Sequence, residues 1–291
     1  MNEPQTVSIE ARSARIDVEG AVVCDRLSLS ISGRRLVLAG PPAAALTAAL
    51  CARGSIEQGA LFIDGRDVAA GEHIGYVGLA PFDLPLPHRD TVLAFVTVSF
   101  RLAGLGRVEA AAAAHAALSE LGLDALAARK ASSLSAAERK AATIAQAMIP
   151  KAPVLMIESP LHGLESSDAS RVLELLARVC RSRAVIATAS RTDPGSPERQ
   201  LLLGADRAAI LTVQGCCWIG DPNTLMRGSR LFALTVQGPR FGECAAREGL
   251  ELFGAYPHFT VCLPQGASTS VLLNAAGQAD ATLLDLVPLW D

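Results

Sequence analysis

Residues 34–50 read RRLVLAGPPAAALTAAL. Residues 36–39 are an apolar run of buried-strand length, Gly40, Pro41 and Pro42 break it, and residues 43–50 read as the start of a helix. Strand, loop and helix in that order frame a phosphate-binding loop, whose pattern is G-x-x-x-x-G-K-[ST]. Here positions 40–47 are G-P-P-A-A-A-L-T. The first glycine, Gly40, and the closing hydroxyl, Thr47, stand. Ala45 replaces the second glycine and Leu46 the lysine, with Ala43 and Ala44 between. Such a loop wraps backbone N–H groups around an anion at a helix N-terminus. Pro42 supplies no N–H, and Ala45 adds a methyl group where close backbone approach is wanted. A hydrogen bond to a charged group is worth roughly 1.5–3 kcal/mol net, so losing the ammonium lowers phosphate affinity by about one to two decades. Thr47 reads either as a Mg²⁺ ligand brought into use by a nucleotide or as a first-turn helix residue.

The chain has 291 residues, 50% hydrophobic, 19% charged and 4% aromatic, enough for one large core with a small appendage. A net charge of −3 gives no basic footprint for nucleic acid. Seven cysteines without a framework spacing suggest reduced thiols in a cytosolic protein, and the adjacent Cys216 and Cys217 read as packing residues. The first ten residues, MNEPQTVSIE, lack the apolar segment of a signal peptide. No apolar run reaches the roughly 18 residues that a membrane span needs, so a membrane role would be peripheral.

Short alternating runs over residues 7–32 read as antiparallel strands. Residues 59–68 form another strand with a tight turn at Asp64-Gly65, and residues 74–77 a short one before the proline-rich LAPFDLPLPHRD. Helical spacing runs from 91 to 146. Residues 154–157 and 184–187 are buried strands, and residues 208–219 a hairpin turning near Gln214-Gly215. Beyond about residue 229, strands alternate with one helix. His73 and His88 lack partners at metal-ligand spacing, and RVCRSR at 178–183 reads as a solvated helix end.

The run SSLSAAERKAATIAQAMIPKAPVLMIESPLHGLE, residues 132–165, resembles the signature-helix-to-Walker-B stretch of an ABC-transporter ATPase. That family runs LSGGQ, a helix rich in Arg and Ala, four apolar residues, D-E-P and G-L-D. Other segments follow in family order. GALFIDGRDV is similar to the strand after the first helix, IGYVGLAPFDLP to the Q-loop region, TVLAFV to the entry of the helical subdomain, and GADRAAILTVQGCCWIGDPNTLMR to the closing strands. The tail, LPQGAS at 263–268 with residues 283–289, is similar to the small domain that closes export ATPases of the ABC-2 type. The resemblance implies an α/β fold: a P-loop NTPase-like (ABC ATPase) core over residues 5–228, with an antiparallel β subdomain and a helical subdomain at about 88–146. A small C-terminal α+β domain would occupy 229–291.

The departures fall on chemistry and spare the scaffold. Leu79 aligns with the Q-loop glutamine, a sensor of Mg²⁺ and the attacking water. Glu158 aligns with the Walker B aspartate and still reaches a metal if Mg²⁺ is bound; otherwise it is a solvated or hydrogen-bonded carboxylate. Ser159 aligns with the glutamate that polarises water, and a serine cannot act as that base. Ala189 aligns with the switch histidine. No aromatic residue lies at 16–18, where adenine would stack. Phosphoryl transfer depends on positioning and charge neutralisation, and almost every group that would supply them is missing.

In this family two subunits pair head-to-tail, and the signature serine of one caps the nucleotide held by the other. Ser135 keeps that hydroxyl, while Ala136 and Ala137 replace glycines and Glu138 brings a carboxylate near the cap. Ser135 and Glu138 also stand at capping-box spacing, so a helix N-cap is the second reading. His162 reads as a surface histidine; no G-x-S-x-G supports a serine nucleophile.

The resemblance implies a hydrolysis-deficient ATP-binding subunit of a membrane export complex, with ATP and Mg²⁺ bound weakly or not at all. Its implied partners are transmembrane permease subunits, met through about residues 79–105, and an intact ABC ATPase subunit in a heterodimer at the cytoplasmic membrane face. A scaffold that binds no nucleotide and a conventional ATPase with unusual residues are the alternatives.

Overall fold

Four-residue apolar strands can bury both faces only in the middle of a sheet covered on both sides, and this requirement organises the chain. The computed structural model describes residues 6–40, 42–190, 195–212, 215–225, 230–264 and 266–290. Pro41 and Gln214 lie outside them, as does the side chain of Cys217.

The chain opens with β1 (Val7–Val18), β2 (Ala21–Gly33), β3 (Arg35–Ala39), α1 (Ala43–Leu50), β4 (Gly54–Ile63), β5 (Arg66–Asp67) and β6 (Val77–Ala80). Three helices follow: α2 (Val92–Leu102), α3 (Arg107–Leu121) and α4 (Ala136–Ala147). Then come β7 (Val154–Ile157), α5 (Ser166–Val179), β8 (Ala184–Ala189), α6 (Pro197–Leu203), β9 (Arg207–Thr212), β10 (Gly215–Gly220) and α7 (Pro222–Leu225). The last stretch holds β11 (Arg230–Gln237), α8 (Phe241–Arg247), β12 (Leu252–Ala255), β13 (His258–Leu263), α9 (Ser270–Ala279) and β14 (Thr282–Trp290).

The central sheet has the order β10-β9-β3-β8-β7-β6, parallel except for the β9–β10 hairpin. Its strands alternate strictly between two cores. Leu36, Leu38, Val154, Met156 and Ile186 face α1 and an antiparallel sheet of order β2-β1-β4-β5. Val37, Leu155, Ile157, Val185 and Ala187 face the layer of α2, α3, α4 and α5. The alanines of α3 let that layer close tightly: Ala110 and Ala114 are fully buried. Thr91 caps α2 by accepting from the Ala94 N–H at 3.1 Å, and Gly122 ends α3 in the left-handed region. A third sheet, β12-β13-β11-β14, buries Leu234, Val236, Val261 and Leu263 against α8 and α9.

Three local expectations change. The strand expected at 74–77 begins at Val77, because residues 74–76 form turns with Gly75 at φ +78° and Ile74 left exposed. The segment beyond residue 229 carries two helices rather than one; α8 is only seven residues long, too short to show a periodic stripe. The arginines of 178–183 are not simply solvated. Arg178 Nη1 donates to the Leu121 carbonyl at 2.7 Å and Arg183 Nε to the Ala152 carbonyl at 3.2 Å, tying the end of α5 to its neighbours. Among the described residues no helix is long and apolar enough to cross a membrane.

Helix α4 approaches β6 so closely that a Cβ on Gly78 would lie 2.0 Å from the Ala147 carbonyl oxygen. Gly78→Ala is therefore expected to destabilise the fold by about 1–3 kcal/mol, as overpacking does, read as a lower urea midpoint at unchanged slope.

Candidate functional site

In open parallel sheets ligands sit outside the carboxyl ends of the strands. Here that rim is built by the segments that follow β3, β6, β7 and β8. After β3, Gly40 takes φ +105°, and a Cβ there would lie 2.2 Å from the Leu211 carbonyl oxygen, so only glycine fits. Its N–H donates to the Ala189 carbonyl at 2.9 Å. Pro42, buried and in helical conformation, precedes α1 without a side-chain cap.

The helix then begins at once. The Ala43 N–H donates to the Gly40 carbonyl at 3.0 Å, and the Ala45 N–H to the Pro42 carbonyl at 2.9 Å. Ala43 and Ala45 are buried and Ala44 half-buried. Leu46 is 1% exposed and packs in the core with Leu36 and Leu38. Thr47 lies in the second turn of α1, not the first; it is 0% exposed, and its Oγ1 is enclosed with no hydrogen-bond partner. The polar atom of Thr47 thus does not reach the rim.

Helix α1 stops after eight residues in a Schellman motif. The Arg53 N–H donates to the Ala48 carbonyl at 2.9 Å, the Ala52 N–H to the Ala49 carbonyl at 3.2 Å, and Ala52 takes φ +54°. This turn delivers Arg53 to the buried Glu158 at the end of β7. Arg53 Nη2 donates to Glu158 Oε2 at 3.0 Å, and the Phe82 N–H donates to the same oxygen at 3.1 Å. The carboxylate is therefore hydrogen-bonded and ion-paired rather than solvated. Beside it, burial pushes the Cys51 thiol up, partly offset by Arg53.

Ser159 takes φ +42°, an uncommon conformation for a serine, and its N–H donates to Thr188 Oγ1 at 3.0 Å. Three residues on, His162 Nδ1 lies 2.9 Å from Ser190 Oγ and 3.9 Å from Glu198 Oε1. The Ser190 N–H and Oγ both donate to Glu198 Oε2, each at 3.1 Å. The hydroxyl and the carboxylate meet the same ring nitrogen, whereas a nucleophilic triad needs one on each nitrogen; the geometry is not that of a relay. Ala189 lies fully buried within β8.

Phe82 links the two halves of the rim. Its ring meets His162 edge-on at 5.2 Å and lies 3.8 Å from Lys140 Nζ, which also donates to the Phe82 carbonyl at 2.9 Å. Burial pulls the Lys140 amine down to about 8, against the opposing pull of Glu158, Asp83 and Glu198. Leu79, half-buried in β6, takes part through its backbone: its carbonyl accepts from Gln146 Nε2 at 2.7 Å.

Ser135 is exposed at the start of α4 and makes a full capping box. Its Oγ accepts from the Glu138 N–H at 3.3 Å, and its N–H donates to Glu138 Oε2 at 2.8 Å. Burial raises the Glu138 carboxyl, but the Ser135 backbone and the Arg129 guanidinium overcome that and leave it lowered. Ala136 is exposed and Ala137 buried.

Sequence reasoning passed over Arg53, Phe82, Lys140 and Glu198. Glu198 carried a signal, the helix-start run Ser196-Pro197-Glu198. Arg53 carried a fainter one, as the first charged residue after Arg35.

Two outcomes follow. Leu46→Lys, which places an ammonium in the core, is expected to cost roughly 4 kcal/mol or more, the range of an unpaired buried charge, in urea unfolding. For Lys140, the folded pKa near 8 lies below the unfolded value of about 10.4. Between them the unfolded chain binds more protons, so stability rises with pH across that window. Lys140→Met is expected to flatten this rise in melting curves taken from about pH 8 to 10.

A family model described as ABC transporter matches residues 24–162. The lipoprotein-releasing system ATP-binding protein LolD of Porphyromonas gingivalis is 27% identical over 187 residues, 60% of this chain and 84% of LolD. The Fe(3+) ions import ATP-binding protein FbpC of Streptomyces coelicolor is 28% identical over 176 residues, 58% of this chain; the match spans 50% of FbpC's own length. Among solved structures, a bacterial Atm1-family ABC exporter with ATP bound superposes with a TM-score of 0.60 at 18% identity, over 77% of this chain and 41% of the exporter chain, a likeness of fold. The chain carries an ABC transporter domain on an ABC ATPase fold and is a homologue of the ATP-binding subunits of ABC transporters.

Proposed function

We propose that this chain is a hydrolysis-deficient ATP-binding-subunit homologue that pairs with an intact ABC ATPase in a membrane export complex. The observation that carries the reading is the contrast between a complete scaffold and a rim without the groups for phosphoryl transfer. Ser159 and Ala189 stand where a base and an imidazole would act, and Leu46 and Thr47 are packed inside. ATP and Mg²⁺, which the family binds in general, do not fit the positions as they stand. The amides of Ala43 and Ala45 are engaged, the Thr47 hydroxyl is enclosed, and Glu158 is already paired.

Ser135 supports the pairing part of the reading. It is the one signature side chain with a hydroxyl at the surface, and Arg129 neutralises the carboxylate of Glu138 beside it, which lowers the repulsion that a partner's phosphate would meet. Docking on transmembrane permease subunits is supported by exposed apolar side chains near residues 79–105: Phe82, Val98 and Leu102, the last 86% exposed, with Val108 adjoining. The chain would then divide into an ABC unit over residues 5–228 and an appended unit over 229–291, held at the cytoplasmic face.

A nucleotide-free scaffold is the second reading, favoured by the enclosed Thr47 hydroxyl. The test is ATP turnover by the reconstituted complex. Ser135→Arg is expected to lower it by roughly tenfold or more, about 1.4 kcal/mol of activation free energy. Unchanged turnover would move the chain to the scaffold reading, and ATP hydrolysis by the isolated chain would overturn both.

A further inference from the structure

We infer that Arg53 replaces a divalent cation as the standing counter-ion of Glu158, so that the rim of this chain is held by its own guanidinium and metal is excluded while Arg53 stays in place. A buried carboxylate remains ionised only when a positive charge or hydrogen-bond donors compensate it. Glu158, with a side chain 10% exposed, receives both on Oε2: the Arg53 guanidinium at 3.0 Å and the Phe82 N–H at 3.1 Å. The contact is charge-assisted, the stronger class of hydrogen bond.

The backbone is shaped to deliver that charge. The left-handed Ala52 and the Schellman bonds end α1 early and aim Arg53 at the end of β7. The same oxygen holds the Phe82 amide, and the ring of Phe82 meets both Lys140 and His162. One carboxylate oxygen thus ties the end of α1 and the segment after β6 to the end of β7, with the Arg53 guanidinium as the cation it holds. Among the described residues little stands ready to help a metal compete. Thr47 Oγ1 is enclosed, burial keeps Cys51 protonated, and among the described residues no three His, Cys, Asp or Glu side chains converge. Arg53 is itself 54% exposed along its side chain, so its substitution need not open a cavity.

The inference rests on reading Glu158 as the Walker B-position carboxylate. Its test uses Mn²⁺ alone, with the full chain, no nucleotide and no partner. Mn²⁺ binding is followed by electron paramagnetic resonance for wild type, Arg53→Met, Glu158→Gln and the double variant, each checked for a cooperative melt by circular dichroism. Wild type is expected to show no saturable binding that Glu158→Gln removes. Arg53→Met is expected to gain saturable Mn²⁺ binding, on the order of tenfold or more tighter than the detection limit that wild type sets, the size of one charge-assisted contact, and the double variant to lose the gain. Arg53→Gln, which keeps a donor without the charge, replaces Arg53→Met if that variant does not melt cooperatively. Folded charge-free variants that bind no better than wild type, or wild-type binding that depends on Glu158, would overturn the inference. Turnover of the complex that ignores Ser135→Arg would overturn the proposed function and leave the Mn²⁺ result untouched.

Discussion

Burial of both faces of the central parallel sheet is the constraint on which the rest depends. β3, β7 and β8 are only four to six residues long and carry almost no polar side chains, so neither face can meet water. One face takes α1 and the antiparallel sheet, the other takes the helical layer. Every segment that turns at the carboxyl ends of these strands is thereby brought to one rim, whatever its residues are. The scaffold of an ABC ATPase persists here because its packing depends on apolar alternation, which is intact, and not on the polar groups of the rim.

Many of the polar groups at that rim hydrogen-bond one another. Glu158 is answered by Arg53 and the Phe82 amide, Glu198 by Ser190, Ser159 by Thr188 Oγ1, and Lys140 by the Phe82 carbonyl and ring. Thr47 Oγ1 has no hydrogen-bond partner and is sealed from solvent. Leu46 is likewise a core residue, and α1 runs from Ala43 through the helix-forming A-A-A-L.

Much of this was legible in the order of residues. The run at 36–39, the break at Gly40, the helix from Ala43, the Ser135–Glu138 capping box and the buried strand at 154–157 are local patterns, each settled by periodicity or by a hydrogen bond spanning three residues. Misreadings arose where locality failed. Residues 74–76 have the composition of a strand but lie in turns, and the arginines of 178–183 look solvated until α3 is placed beside them. Thr47 reads as a rim residue from its place in the pattern alone, because which way its hydroxyl faces depends on what packs against α1.

The sequence by itself determined the fold class and the family resemblance, because residue identity and spacing suffice for these. Tertiary structure alone decided that Leu46 and Thr47 face inward and that Arg53, 105 residues away along the chain, is the partner of Glu158. The physical reason is that a buried charge must find its counter-charge in space. Which cation arrives depends on where α1 ends and on how the sheet and helix pack, and no local pattern encodes that.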